Sequence, residues 1–298
     1  MKGPRGRGYT AGQLTVHDEP ARLTEVTTAL RGVGRKVTLV PTMGALHAGH
    51  VELIRHARRA PGASVTVVSI FVNPLQFGEG EDLDQYPRTL EADLETCRQE
   101  GVELVFAPSQ AAMYPASTGI AVHPGELGGE LEGAVRPGHF AGVLTVCSKL
   151  FGIVAPQLAY FGEKDYQQLV LLRRLTHELN LGVHVVGVPT VRERDGLALS
   201  SRNVYLSLDE RRRAVVLSAA LAAGRHAGRR GAQAALDAAR QLLADEPELE
   251  LDYLELRDPD LRAAPEQGPA RLLVAARLGK TRLIDNTALT LGTPPREY

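Results

Sequence analysis

Two histidines separated by a glycine-containing pair of residues form the chemically most suggestive segment of this 298-residue chain. The segment runs from an apolar stretch through a turn into His47-Ala48-Gly49-His50. Residues three apart in the first turn of a helix point to the same side, and a glycine between them lets a phosphate approach the backbone. A helix N-terminus offers unpaired N–H groups and partial positive charge, to which imidazoles add donors for developing negative charge. The pattern predicts a phosphate-binding helix start.

Two other interpretations of the histidine pair stay open. The pair could hold a metal ion, although no third ligand is evident nearby in the sequence. Alternatively, one histidine could cap the helix while the other packs against it.

A second segment, Ser200-Ser201-Arg202-Asn203, follows a turn at Asp195-Gly196. Two hydroxyls and a guanidinium in such a turn can wrap a triphosphate through charge-assisted hydrogen bonds. Taken alone, the segment is more typical of a solvated loop. Together with the histidine pair in one chain, it favours nucleotidyl chemistry.

The elements that must position these residues alternate between strands and helices over the first two-thirds of the chain. In residues 165–179, Leu169, Leu172, Leu175 and Leu179 recur on one helical face, as a helix packed on a sheet requires. Continuous apolar strands separated by helices predict a doubly wound, Rossmann-like parallel sheet, with ligands beyond the carboxyl ends of the strands where the strand order reverses. The predicted strands are 37–40, 65–71, 102–106, 158–161 and 183–188, and the predicted helices are 49–59, 89–99, 143–154 and 165–179.

The pattern changes near residue 190, which divides the chain into predicted domains 1–189 and 190–298. Residues 209–244 predict helices broken near 228–231, and residues 249–253, 271–276 and 281–285 predict strands, the last two joined as a hairpin at Gly279-Lys280. We expect a smaller α+β domain with an antiparallel sheet. Because the Ser200 segment lies near the boundary, this domain is predicted to act as a lid over a nucleotide.

Composition narrows the class of protein. A formal charge of -1 and 5% aromatic residues disfavour nucleic-acid binding, and the arginine-rich stretches 211–213 and 229–230 are interpreted as solvated helix faces. Cys97 and Cys147 lie in apolar helical patterns and are predicted to be buried thiols in a reducing compartment. No apolar run approaches the ~20 residues of a membrane span. A cytoplasmic location is expected.

Seven short sequence blocks indicate to which family of proteins this chain is similar. The histidine pair and the Ser200 segment resemble the signature pair of the nucleotidyltransferase superfamily that includes class I aminoacyl-tRNA synthetases. The full set of blocks, in order and spacing over residues 14–292, resembles the pantothenate synthetase family. The blocks are PTMGALH at 41–47, GH at 49–50, SIFVNPLQF at 69–77, YPR at 86–88, RPGHF at 136–140, FGEKDYQQ at 161–168 and SSRN at 200–203.

The resemblance implies an ATP-dependent ligase that joins (R)-pantoate to β-alanine through pantoyl adenylate and releases AMP and pyrophosphate. It implies that His47, His50, Lys164 and Arg202 carry the chemistry, with His50 as the proposed proton donor. Gln76 and Gln168 match the positions that bind pantoate in the family, and the resemblance implies that Gln76 also binds β-alanine. The ATP-binding positions implied are Met43, Gly44, His47, His50, Gly162, Lys164, Asp165, Val191, Leu199, Ser200, Ser201 and Arg202.

Several of these positions also have structural interpretations. Asp165 could serve only as a helix cap or first-turn residue, and a glutamine after a strand is usually solvated. Arg136 is interpreted as a loop anchor in preference to an anion clamp, and His139 stays undecided. Two other functions are alternatives: adenylyl or cytidylyl transfer to a phosphate ester, and a non-catalytic nucleotide sensor. A sensor would be expected to lack at least one of His47, His50, Lys164 and Arg202, and all four are present.

Magnesium is expected because it neutralises the phosphates of ATP and prefers few protein ligands. Some relatives carry consecutive acidic residues in the helix after Tyr86-Pro87-Arg88, but this chain has Ala92 at one of those positions. Asp93 is therefore the single candidate ligand. The resemblance also implies a homodimer formed through the large domain.

Overall fold

The computed structural model describes residues 9–81, 83–115 and 119–292. Residues 1–8 and 293–298 of the two predicted domains lie outside this description. The chain forms two compact units, which we call the first unit (Met1–Glu163 with Leu171–Pro189) and the second unit (Lys164–Val170 with Thr190–Tyr298).

The first unit is built on a six-stranded sheet in which all neighbouring strands are parallel. The strand order is β1-β4-β3-β2-β5-β6. The bounds are β1 Thr15–His17, β2 Lys36–Thr42, β3 Ser64–Ile70, β4 Leu104–Phe106, β5 Leu158–Gly162 and β6 His184–Val188.

Helices cover both faces of this sheet. The α2 and α3 helices pack against Val40, Val68 and Val105, while α1 and α6 contact each other and β2. Successive strand residues point to opposite faces of the sheet. Because helices cover them, both faces are buried, and the strand sequences are continuous apolar runs. The helices are α1 Pro20–Gly32, α2 Ala48–Arg58, α3 Leu90–Gln99, α4 Gln110–Met113, α5 Glu132–Val135, α6 His139–Val154 and α7 Tyr166–Glu178.

The strand order reverses between β2 and β5. The β2 strand pairs with β3 along its whole length but with β5 only at Thr38 and Leu39. The carboxyl ends of β2 and β5 are therefore not hydrogen-bonded to each other, which opens the position where ligands bind in doubly wound sheets. The segments beginning at Met43 and at Glu163 leave the sheet at this position.

The second unit is a small α+β layer structure. Its three strands form an antiparallel sheet in the order β7-β8-β9, and Leu217, Leu221, Ala235 and Ala239 pack on it from the helices. The elements are α8 Leu208–Arg213, α9 Val215–Ala227, α10 Ala232–Ala244, β7 Leu249–Arg257, β8 Gly268–Leu278 and β9 Thr281–Leu291.

The structure confirms the predicted α/β class with a smaller α+β part, and corrects some details. The β1 strand and α1 were not predicted, and α6 begins at His139, four residues before its predicted start. Leu169, Leu172 and Leu175 are buried as predicted. The prediction for Leu179 was wrong, because this residue follows the end of α7 and is 55% exposed. Among the described residues, no helix is both long and apolar enough to cross a membrane.

Candidate active site

The histidine pair lies at the start of α2, directly after the turn that follows β2. His47 is the N-cap residue in extended conformation, and its Nδ1 accepts the N–H of Gly49 at 3.1 Å. His50 Nδ1 accepts the N–H of His47 at 3.3 Å, which completes a capping box made of two imidazoles. The ring centroids are 4.1 Å apart. Both imidazoles are therefore held by the backbone.

These two contacts determine the tautomers. A neutral imidazole whose Nδ1 accepts a hydrogen bond carries its proton on Nε2. Both rings therefore carry their proton on Nε2, on the side away from the backbone they cap. Donors of this kind suit the oxygens of a phosphate group.

Gly49 is required by the first histidine. A Cβ at position 49 would lie 2.8 Å from Cε1 and 2.9 Å from Nδ1 of His47. Any side chain there would displace the imidazole that caps the helix. The glycine thus serves the ring packing as well as the approach of a phosphate that the sequence suggested.

Asp93 lies beneath the turn between β2 and α2 and is 2% exposed. Its Oδ1 accepts the N–H of Leu46 at 2.8 Å, and its Oδ2 accepts the N–H of Ala45 at 3.1 Å and the hydroxyl of Thr89 at 3.2 Å. Within the described part of the chain, no group of three or more His, Cys, Asp or Glu side chains could hold a metal ion. A buried carboxylate with three donors directed at it does not fit a protein ligand for magnesium.

Gln76 lies in a short 3-10 helix, Pro74–Gln76, that follows β3. Its side-chain Oε1 accepts a hydrogen bond from Asn73 Nδ2 at 3.1 Å, and its Nε2 donates to Met43 Sδ at 3.2 Å. Asn73 is 1% exposed and its Oδ1 accepts the Tyr114 hydroxyl at 2.8 Å. Because the phenol donates to Oδ1, the Asn73 amide must present Nδ2 to Gln76. Two predicted site residues, Met43 and Gln76, are in contact.

Arg136 and His139 hold the backbone of the same segment. The Arg136 guanidinium forms a bidentate ion pair with Glu81 at 2.9 and 2.6 Å. His139 Nδ1 lies 2.8 Å from the carbonyl oxygen of Gln76, and its Nε2 lies 3.1 Å from Arg136 Nη1. A ring nitrogen next to a carbonyl must donate, so Nε2 is the acceptor from Arg136. These contacts favour the interpretation of Arg136 as a loop anchor.

In the second unit, Val191 and Leu199 are paired in a small hairpin. The N–H of Leu199 donates to the carbonyl of Val191 at 2.9 Å, and the turn is closed by Glu193 and Leu197. Ser200 then caps a 3-10 helix, Ser201–Tyr205, by accepting the N–H of Arg202 at 3.2 Å. The segment is half-buried and hydrogen-bonded, in contrast to a freely solvated loop.

Two arginines fix this hairpin. Arg192 forms a bidentate pair with buried Asp285 of β9 at 2.5 and 2.9 Å. Arg211 of α8 bonds to Glu193 at 2.7 Å and to Asp195 at 3.1 Å. The hydrogen bond from Arg211 is the main cause that lowers the pKa of Asp195. The prediction that Arg211 belongs to a solvated helix face was wrong, since its side chain is 21% exposed and joins the hairpin to α8.

Lys164, Asp165 and Gln168 also belong to the second unit. The carbonyl of Lys164 accepts a hydrogen bond from Asn286 of β9 at 2.9 Å, which fixes the backbone at this residue. The Nζ atom of Lys164 lies 3.9 Å from Asp165 Oδ1, and the Asp165 side chain is 51% exposed. Gln168 is half-buried in α7, and Gly162 ends β5.

Sequence reasoning missed the side chains that position the predicted residues. Asn73 stands before Pro74, a cap residue followed by proline at the first helical position, so its capping role was readable. Tyr114 and Asn286 carry no such signal, because their contacts join residues 41 and 122 positions apart in the sequence.

Known proteins resemble this chain over nearly its whole length. The family model described as pantoate-beta-alanine ligase matches residues 15–288. The pantothenate synthetase of Saccharopolyspora erythraea is 66% identical over 96% of this chain and 95% of its own length. That of Mycolicibacterium smegmatis is 64% identical over 95% of this chain and 90% of its own length.

Solved structures give the same result. The pantothenate synthetase from Thermus thermophilus has a TM-score of 0.84 and 46% identity, and the match covers 91% of this chain and 98% of that one. The pantoate-beta-alanine ligase from Francisella tularensis, complexed with beta-gamma ATP and beta-alanine, has a TM-score of 0.77 and 33% identity over 92% of this chain and 97% of that one. The chain belongs to the pantoate-beta-alanine ligase family.

Proposed function

We propose that this chain activates (R)-pantoate with ATP and transfers the pantoyl group to β-alanine. A carboxylate oxygen of pantoate attacks the α-phosphorus of ATP, and pyrophosphate leaves. The uncharged amine of β-alanine then attacks the acyl carbon, loses a proton and displaces AMP. The observation that carries the proposal is the pair of backbone-held imidazoles at the start of α2, in a chain of this ligase family. The alternative, transfer to a phosphate ester, has no support from the relatives.

The first step brings two anions together without a covalent enzyme intermediate. Catalysis must therefore come from positioning and from donors aimed at developing charge. The Nε2–H groups of His47 and His50 supply such donors, with His50 as the proposed proton donor. Because the backbone fixes both rings in advance, they need not reorganise when charge builds.

The second unit is proposed to supply the positive charge and neutral donors for ATP. Lys164 and Arg202 carry the charge, and the hydroxyls of Ser200 and Ser201 are the neutral donors. The hairpin contacts and the Asn286 bond to Lys164 give these residues a defined backbone. The other positions proposed for ATP are Met43, Gly44, Gly162, Asp165, Val191 and Leu199.

Pantoate carries hydroxyls and a carboxylate, which suit side-chain amides that both donate and accept. We assign Gln76 and Gln168 to pantoate and Gln76 also to β-alanine. The structure around Gln76 supports this role, since Asn73 fixes the orientation of its amide. A neutral amide also avoids the stabilisation of the ammonium form that a carboxylate would give, and the second step requires the uncharged amine.

Magnesium is proposed only as the counter-ion that accompanies the phosphates of ATP, because the contacts of Asp93 do not fit a ligand. A cytoplasmic location and a homodimer remain proposals drawn from the family.

The test of this function is isotope exchange between ATP and labelled pyrophosphate. We expect exchange that requires pantoate and proceeds without β-alanine, because adenylation is reversible and precedes the amine. Exchange that ignores pantoate, or that appears only with β-alanine, would exclude the proposed order of steps.

The role of His50 is tested by His50→Ala in the same assay. Removing one preorganised donor is expected to lower the exchange rate about 100- to 1,000-fold. His56→Ala, in the last turn of the same helix, is the matched control and should keep the wild-type rate. Since His50 also completes the capping box, the melting temperature of each variant must be measured. A folded His50→Ala protein with wild-type exchange would refute the role.

A further inference from the structure

The turn between β2 and α2 has an unusual backbone. Gly44 and Ala45 follow one another with φ of 87° and 50°. The left-handed region costs a residue with a Cβ about 1–2 kcal/mol, and such conformations persist only where surrounding contacts determine them. The turn ends at His47, so its conformation sets where the capping imidazole begins.

Asp93 supplies two of the contacts that hold this turn, and the hydroxyl of Thr42 supplies another by accepting the N–H of Gly44 at 3.2 Å. Successive N–H groups of Ala45 and Leu46 converge on its two carboxylate oxygens, as in a backbone anion nest. The fit is close: a Cβ at Gly44 would lie 3.0 Å from Asp93 Oδ2 and 3.2 Å from Ile70 Cγ2. The nest is thus filled by a side chain of the protein itself.

We propose that Asp93 is a positioning residue for the reaction, and that it acts through the turn at residues 44–46. By holding the N–H groups of Ala45 and Leu46, the carboxylate sets the start of α2 and with it the two imidazoles. A consequence is that these two N–H groups are not donors for ATP. Donors for the phosphates are therefore expected from other groups, among them the two imidazoles.

A cation ligand is the competing role for this carboxylate, and the geometry disfavours it. Three donors already point at the two oxygens, and the side chain is 2% exposed. Donor hydrogens and a magnesium ion compete for the same lone pairs. Magnesium also retains several waters, for which a side chain this buried leaves little room.

The first experiment uses the wild-type protein without substrates. Amide hydrogen exchange at Ala45 and Leu46 is measured by NMR in chelator and again with excess magnesium. We expect both amides to be protected to the same degree in the two conditions, because the acceptor is present in the protein. Fast exchange in chelator that slows only with magnesium would overturn the proposal. This measurement does not depend on the proposed function.

The second experiment compares Asp93→Asn with Asp237→Asn, the same change at an exposed position of α10. The proposal, which here rests on the proposed function, predicts that Asp93→Asn lowers pantoate-dependent exchange roughly tenfold or more at saturating magnesium. The magnesium concentration for half-maximal rate should stay within about twofold of wild type. The control should match wild type in both quantities.

Two results would contradict the positioning role. One is a folded Asp93→Asn protein with the wild-type rate, and the other is full recovery of the rate when magnesium is raised. If wild-type protein itself shows no pantoate-dependent exchange, the proposed function fails, and the amide measurement still decides the role of Asp93 in the turn.

Discussion

At the scale of residues, the side chains assigned to substrates are tied to the protein by hydrogen bonds of their own. His47 and His50 accept backbone N–H groups, Ser200 caps the segment that carries Arg202, and Gln76 accepts from Asn73. Each bond fixes the orientation of the group that makes it. Preorganised groups of this kind lose less entropy on binding and stabilise charge without rearrangement.

Tyr114 gives a test of this preorganisation. Burial raises the pKa of its phenol to about 12, so the hydroxyl stays protonated and donates to Asn73. Tyr114→Phe removes that donor and leaves the Asn73 amide held by Gly142 and Leu75 alone, which weakens the constraint on Gln76. We expect the KM for pantoate to rise about 5- to 30-fold, which corresponds to ~1–2 kcal/mol for one buried hydrogen bond, while the KM for ATP changes little.

The control for this variant is Tyr205→Phe, since Tyr205 is 43% exposed. Steady-state kinetics with pantoate and ATP varied separately provide the measurement. A Tyr114→Phe protein whose pantoate KM equals that of wild type, or whose two KM values rise together, would contradict the positioning of Gln76 through Asn73.

At the scale of elements, strong local patterns were sufficient to predict structure. Five strands and the hairpin at Gly279 follow from apolar runs and turn residues. The β1 strand could not be predicted, because three residues at a sheet edge show no periodicity. Nor could the Asp93 carboxylate be placed beneath a turn 47 residues away, since only the packing of α3 brings it there. The sequence thus suggests which chemical groups form the site, and packing supplies the partners that hold them.

The buried His17 in edge strand β1 leads us to expect that the free energy of unfolding depends on pH. His17 is 4% exposed, and burial lowers the pKa of its imidazole, with Asp18 acting weakly in the opposite direction. The folded chain therefore takes up this proton at lower pH than the unfolded chain, whose histidine has a pKa of about 6.5. The contribution of neutral His17 to the free energy of unfolding is fully present above about pH 6.5. This contribution is lost as the pH falls from there through the lower pKa of the folded chain, by at most about 1.4 kcal/mol per pH unit for one proton.

Urea unfolding of wild type and His17→Phe between pH 5.5 and 8 measures this contribution. The free energy of unfolding should depend less steeply on pH in the variant. The control is His184→Phe on β6, the opposite edge strand, where the side chain is exposed. An unchanged pH dependence in His17→Phe would show that His17 is not the group responsible.

At the scale of the whole molecule, residues of both units are proposed to take part in the reaction. The first unit contains His47, His50 and Gln76, and the second unit contains Lys164, Arg202, Ser200 and Ser201. Family membership rests on matches that extend over nearly the whole chain, so both units are included in it. The lid role of residues 190–298 and the homodimer stay predictions.

The reactivity of the two cysteine thiols tests whether the first unit is packed as described. Cys97 and Cys147 are free and buried as predicted, and burial raises the pKa of each thiol to about 12. The reactive thiolate is therefore scarce at pH 8. We expect no fast reaction of the native protein with a thiol-specific disulfide reagent and full reaction of both cysteines in guanidinium. Rapid modification of either cysteine in the native protein would contradict this packing.

The central claim is that pantoate is activated through its own carboxylate. Turnover with ATP, β-alanine and pantoate labelled with oxygen-18 in the carboxylate tests it directly, with the product AMP analysed by mass spectrometry. Attack on the α-phosphorus followed by cleavage of the acyl–oxygen bond transfers one labelled oxygen to each AMP. Unlabelled AMP, or label found in inorganic phosphate with ADP as the nucleotide product, would contradict the account.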